Sequence, residues 1–177
     1  MLSVLIPLRN WNPVSLVEAL ASQLIQSGKP FEILISDDSN PKDSSEIITG
    51  LGKIRGVKCF SRDKPLGRSA NRNFLASEAR YEYLLFIDGD AGCENDHFIE
   101  KYLSRISRNT VICGGTLYNQ LPPENPDYIL RWKYGREREQ TSADKRQELS
   151  WKSFSTFNFL IPADVFNRIR FDESIKG

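Results

Sequence analysis

The chain has 177 residues, 40% of them hydrophobic and 27% charged, with a formal net charge of +1. A chain of that size can bury about 70% of its unfolded surface, so one folded domain is expected and wholesale disorder is excluded. The near-neutral charge argues against a nucleic-acid partner held by bulk electrostatics. The single histidine, His97, leaves almost nothing for His-based zinc sites or a Ser-His-Asp triad.

Cys59, Cys93 and Cys113 are odd in number and lack Cys-x-x-Cys spacing, so they read as reduced structural thiols. No run approaches the roughly 20 apolar residues of a membrane span. Residues 1–9 carry no basic leader or cleavage site. The expectation from these features is a cytoplasmic protein.

In chain order, residues 3–7 form a first strand. Asn12 then reads as a helix N-cap with Pro13 at the first helical position, and Val14, Leu16, Val17, Leu20, Ala21, Leu24 and Ile25 follow at helical spacing until Gly28. A second strand, 31–35, ends in Ser36-Asp37-Asp38-Ser39. Asn40-Pro41 opens a short helix carrying Ile47, Ile48 and Leu51. Residues 57–60 form a third strand, 67–79 a helix, and 83–87 a short apolar strand. A helix over 96–106 and a strand over 110–113 follow. Strand and helix alternate, which predicts an α/β fold with a mostly parallel sheet covered by helices on both faces.

Ligands on such sheets sit beyond the carboxyl ends of the strands. Three of those ends carry the polar clusters of this chain: residues 7–10, 37–39 and 88–90. Asp88 and Asp90 are separated by one glycine. Charges this close repel by about 1 kcal/mol in water and roughly 4 at an intermediate dielectric. A cation beside them relieves that repulsion, and oxygen-only ligands suit Mg²⁺ or Mn²⁺. A solvated Asp-Gly-Asp turn is the plain alternative.

Loop 7–12 has no glycine, so its backbone cannot cradle a pyrophosphate as Rossmann and Walker loops do. Asp37 and Asp38 could instead read a nucleotide through side chains, accepting from an imide N–H, the N1–H of guanine or ribose hydroxyls. An Asx turn capping the next helix is the alternative role. The helix opening at Gly67 presents an N-terminus that attracts anions. One turn along, Arg72 is suited to a base or a diphosphate. For Arg62, Lys64 and Arg68 a solvated surface is the plain alternative, so Arg72 and Asn73 carry more weight.

After Gly115 the pattern changes. Pro122, Pro123, Pro126 and Gly135 precede a charge-dense stretch, 136–148. It reads as a solvated helix with local ion pairs or as a flap over the site. Regular structure resumes at 153–161, and Pro162 starts a helix that runs through Ile169.

Asp37-Asp38-Ser39, the 67–73 segment and Asp88-Gly89-Asp90 resemble, in order, the motif series of the family 2 glycosyltransferases. The opening residues 4–10 resemble that family's first strand and turn. Thr156, Asn158, Phe159 and Phe171-Asp172-Glu173 resemble its acceptor-side segments. The resemblance implies a GT-A fold, Rossmann-like, with a nucleotide-sugar-binding half over 1–115 and an acceptor-side segment of the same domain over 116–177.

It further implies metal-assisted transfer with inversion, from a nucleotide-sugar that is usually a UDP-sugar to a glycan or lipid-linked acceptor. Pro7, Arg9, Asp37, Asp38, Arg72 and Asp88 would bind the donor, and Asp90 would hold Mn²⁺ or Mg²⁺. The family has Ala-Arg-Asn where this chain has Asn71-Arg72-Asn73, and its catalytic base is expected past Gly177. The competing classes are a non-catalytic nucleotide-binding module, a haloacid-dehalogenase-type phosphatase and a sugar nucleotidyltransferase. Trp132, Trp151 and the run 131–136 could rest on a lipid surface, which would place the protein at the inner face of a membrane, or pack internally. Oligomeric state is not legible.

Overall fold

The computed structural model describes residues 1–39, 48–148 and 150–175. Contacts divide the chain into two units, Met1–Ile112 with Thr156–Gly177, and Cys113–Ser155.

The first unit is built on strands β1 (Leu2–Leu8), β2 (Phe31–Asp37), β3 (Val57–Ser61), β4 (Tyr83–Ile87) and β6 (Asn158–Pro162), with β5 (Ile112–Cys113) at one edge. Their order in the sheet is β3-β2-β1-β4-β6-β5. β1 pairs in parallel with β2 and β4, and β2 with β3, while β6 runs antiparallel to β4. The sheet is therefore mixed, with the parallel part where the alternating pattern foretold it.

Both faces are covered. Leu2, Val4, Ile6 and Leu8 point to one side, where they pack with Leu16, Val17, Leu20 and Leu24 of α1 (Val14–Gln26) and Ile99 and Tyr102 of α3 (Phe98–Leu103). Leu5, Leu34, Leu84 and Phe86 point to the other, against Leu75 of α2 (Arg68–Glu78) and Phe166 of α6 (Ala163–Ile169). This period of two, apolar on both faces, is why these strands read as near-continuous hydrophobic runs.

Pro13 is the N-cap of α1, one position later than the expected Asn12, and its carbonyl accepts from Val17 N at 2.9 Å. Asn12 Oδ1 accepts from Val14 N at 3.1 Å, so the capping role read from sequence survives the shift. α3 is shorter than its 96–106 expectation, because Asn95 Oδ1 turns the chain at His97 and Arg105 N closes on Tyr102 O. The short helix predicted from Asn40 falls at 40–47 outside the described residues; 48–51 are helical, and Leu51 is buried.

The chain leaves the first unit at Ile112 and returns at Thr156, since β6 hydrogen-bonds along β4 from Tyr83↔Pro162 to Ile87↔Asn158. The Phe159 ring, read from sequence as acceptor-side, is buried and stacked on Phe86 with centroids 4.7 Å apart.

The second unit holds a 3₁₀ turn (Pro126–Tyr128), α4 (Ile129–Tyr134), a π-helical turn (Gly135–Glu139) and α5 (Ala143–Glu148). Its charge-dense stretch is thus largely helical and exposed. Arg131 pairs with Glu139 at 2.9 Å, and Tyr118 donates its hydroxyl to the same carboxylate. Gly135 lies against the Tyr118 ring, where a Cβ would collide with it.

Candidate functional site

β2, β1 and β4 are neighbours, so their carboxyl ends lie side by side. Asp38 N donates to Leu8 O at 2.8 Å, and Asn10 N donates to Ser39 Oγ at 2.6 Å, which ties the tip of β1 to that of β2. Gly89 seals the third tip. A Cβ there would come within 2.7 Å of the Leu8 side chain and 3.4 Å of the Pro7 carbonyl, so only glycine lets β4's exit lie against β1's. The three polar clusters of the sequence converge at one edge of the sheet.

Asp37 and Asp38 are adjacent, and neighbouring side chains at a strand end diverge. Asp37 is 2% exposed. Its Oδ1 accepts from Ser39 N at 2.9 Å and from Ser39 Oγ, the Asx turn anticipated from sequence. Its Oδ2 is buried with no hydrogen-bond partner among the described residues. Asp38, equally buried, accepts from Leu66 N at 2.6 Å and Gly67 N at 2.8 Å, one bond to each carboxylate oxygen. An anionic side chain of the protein itself thus occupies the approach to the N-terminus of α2, where the sequence suggested room for an anionic ligand. Gly67 has φ 89°, a backbone conformation that glycine takes without strain and that turns both amides toward Asp38.

Arg72 lies on the buried side of α2 and forms an ion pair with Asp88 through Nη2. Nη1 donates to Arg68 O at 3.3 Å, the guanidinium carbon lies 5.7 Å from the Phe171 ring centroid, and Nε is buried with no hydrogen-bond partner among the described residues. Burial pushes the Asp88 carboxyl above its ordinary range; Arg72 opposes the shift and Asp90 adds to it. Asp90 is exposed, as is Arg9, while Pro7 is half-buried at the tip of β1.

Two carboxylates one residue apart, one neutralised by arginine and one open to solvent, suit a cation that takes its remaining ligands from phosphate oxygens and water. They do not make a protein-only cage, since no group of three or more His, Cys, Asp or Glu gathers among the described residues.

Three contacts escaped the sequence reading. Arg62 is not mere surface: it donates to Ser36 Oγ at 2.7 Å and lies 3.7 Å from the Phe74 ring centroid. Glu32 is buried and accepts from Ser3 Oγ, Arg80 N and Arg80 Nε at 2.7 to 2.9 Å. Asn73 binds residues almost a hundred positions away. A polar residue inside an apolar strand, as at Ser3 and Glu32, was the one available signal for such a pair. In the second unit, Trp132 donates Nε1–H to Asn119 O, whereas Trp151 is exposed. Among the described residues no helix is long and apolar enough to cross a membrane.

The fold has parallels among solved structures. Solved S. aureus TarS, residues 1–349, superposes with a TM-score of 0.67 at 18% identity over 99% of this chain and 51% of that one. The mannosyltransferase PcManGT from Pyrobaculum calidifontis, solved in complex with GDP-Man and Mn²⁺, gives 0.61 at 13% identity over 98% and 48%. Both likenesses establish the GT-A fold. An uncharacterized glycosyltransferase of Rickettsia conorii is 36% identical over 123 residues, which are 68% of this chain and 19% of that protein. One of Rickettsia felis is 35% identical over 122 residues. The chain spans about a fifth of the length of the curated relatives it matches. The family model described as glycosyl transferase family 2 matches residues 3–170, and the chain belongs to that family.

Proposed function

We propose that this chain is the donor-binding part of a glycosyltransferase. Its donor is a nucleoside diphosphate sugar, with a UDP-sugar first in line, and the sugar passes with inversion to a glycan or lipid-linked acceptor. The observation that carries this reading is the meeting of three strand tips, which brings Asp37, Asp88 and Asp90 to one edge with Arg72 braced against Asp88. Two solved structures add support by their ligands: TarS 1–349 in complex with UDP, and PcManGT with GDP-Man and Mn²⁺.

The roles divide as follows. Asp37 offers Oδ2, a buried acceptor with no partner among the described residues, to an imide N–H or a ribose hydroxyl, groups that a carboxylate can only accept from. Asp38, committed to Leu66 and Gly67, shapes the nucleotide edge by holding the 66–67 turn. Pro7 and Arg9 border the nucleotide from the tip of β1. Arg72 holds Asp88 in place toward ribose or sugar. Asp90, exposed and two residues on, is the ligand for Mn²⁺ or Mg²⁺. When bound, the metal supplies Lewis-acid stabilisation of the departing diphosphate. The catalytic base is assigned to none of these residues.

Calorimetric titration of UDP into the chain tests the reading. Binding in the presence of Mn²⁺, weakened at least tenfold by a chelator, is the expected result. Metal-indifferent binding would remove Asp90 from its role, and no binding would remove the donor site altogether.

A further inference from the structure

Helix α2 carries more than the donor arginine. Next to Arg72, Asn73 is buried and spends its whole amide on a distant segment. Its Oδ1 accepts from Phe171 N at 3.0 Å, and its Nδ2 donates to Phe171 O at 2.9 Å and to Glu173 Oε1 at 2.8 Å. An amide that bonds both the N–H and the carbonyl of one residue imitates a strand partner, and it fixes that backbone in place and orientation. Asn and no isostere does this, because aspartate lacks the donor and leucine lacks both groups.

The segment so held is shaped for the purpose. Arg170, which ends α6, has φ 21°, a conformation that a non-glycine residue keeps only when its surroundings over-determine it. The turn swings Phe171 back onto Phe86, Phe159 and Phe166, with ring centroids 5.8 to 6.3 Å apart. Beyond it, Asp172 Oδ1 accepts from Ser174 N and Ser174 Oγ at 2.9 and 2.7 Å, and Ser69 Oγ donates to Ile175 O at 3.4 Å. Residues 171–175 are therefore docked along α2 from Ser69 to Asn73. The Phe171 ring lies under the guanidinium of Arg72, the group that pairs with Asp88.

We propose that Asn73 is a positioning residue of the donor site: by clasping Phe171 and Glu173 to α2, it sets the Phe171 ring beneath Arg72 and thereby holds Arg72 in register with Asp88. The consequence is that the 171–175 segment and the arginine that braces Asp88 move as one piece. This rests on the donor reading above, in which Arg72 holds Asp88 toward the ribose or sugar of the donor.

The test is a double-mutant cycle on UDP affinity in the presence of Mn²⁺, with Asn73→Ala, Arg72→Lys and the pair. Amide exchange is followed in parallel at Phe171 and, as a fold control, at the β1 residues Val4 and Leu5. Asn73→Ala is expected to lose protection at Phe171 but not in β1, and to weaken UDP at least tenfold. In the Arg72→Lys background the same substitution should weaken UDP less than threefold, because its target is gone; a purely structural loss would not show that coupling. If Asn73→Ala proves too unstable, Glu173→Ala removes only the Glu173 Oε1 bond of the same clasp and should show the same coupling with a smaller loss. An Asn73→Ala chain that loses Phe171 protection yet binds UDP within twofold of the parent overturns the inference alone, as do effects that simply multiply. Failure of the parent chain to bind UDP overturns the donor reading, and the inference with it.

Discussion

In the unit formed by Met1–Ile112 and Thr156–Gly177, several ionic groups are buried and bonded across the fold: Asp37 to Ser39, Asp38 to two amides, Arg72 to Asp88, Glu32 to Ser3 and Arg80. In Cys113–Ser155 they are mostly exposed and pair over short spans, as Arg131 does with Glu139 eight residues on. Leu121, Leu130 and Trp151 are exposed beside them. A buried carboxylate must be satisfied or it costs several kcal/mol, so its partners are fixed by the fold. An exposed pair gains about 0–1 kcal/mol and can be exchanged freely. The first kind of network specifies a site, and the second solubilises a segment.

Breaking one member of each kind separates the two. Asp38→Ala leaves the Leu66 and Gly67 amides without their acceptor and should cost about 3 kcal/mol of unfolding free energy, read by urea denaturation. If it costs no more than an exposed pair, the contrast drawn here is wrong. Glu139→Gln, in the second unit, should cost under about 1 kcal/mol. The Arg131 and Tyr118 hydrogen bonds hold the Glu139 carboxyl below its ordinary value. The small contribution of this pair is therefore present above the unfolded pKa of about 4.3 and fades as the pH falls through the folded one. Molar salt at neutral pH should erase most of the same contribution, since an exposed pair is screened.

The same contrast explains what the sequence disclosed. Runs such as Leu2–Leu8 and Tyr83–Ile87 carry their burial in composition, and a parallel sheet follows from their alternation with helices. The convergence of Pro7, Asp37, Asp88 and Asp90 then follows from topology, because adjacent parallel strands must end on one side. The division of labour between Asp37 and Asp38 was not legible. Both are acids at a strand end, and only the position of the 66–67 amides commits one of them. The clasp from Asn73 to Phe171 was equally hidden, since nothing local to either residue marks a partner 98 positions away. The return of Thr156–Gly177 to the first unit was hidden for the same reason: an antiparallel pairing of β6 with β4 has no local signature.

The central claim is a matter of place: a metal-bound nucleotide sits at the joined tips of β1, β2 and β4. Amide NMR with UDP and substoichiometric Mn²⁺ reads that place directly, because the paramagnetic ion broadens nearby resonances. The account predicts that Gly89, Asp90 and Ala91 broaden first, followed by the amides of Arg9, Asn10 and Ser39, with Val57 and Lys58 at the far end of β3 unaffected. Broadening centred on Cys113–Ser155, or spread without focus over the surface carboxylates, would contradict it.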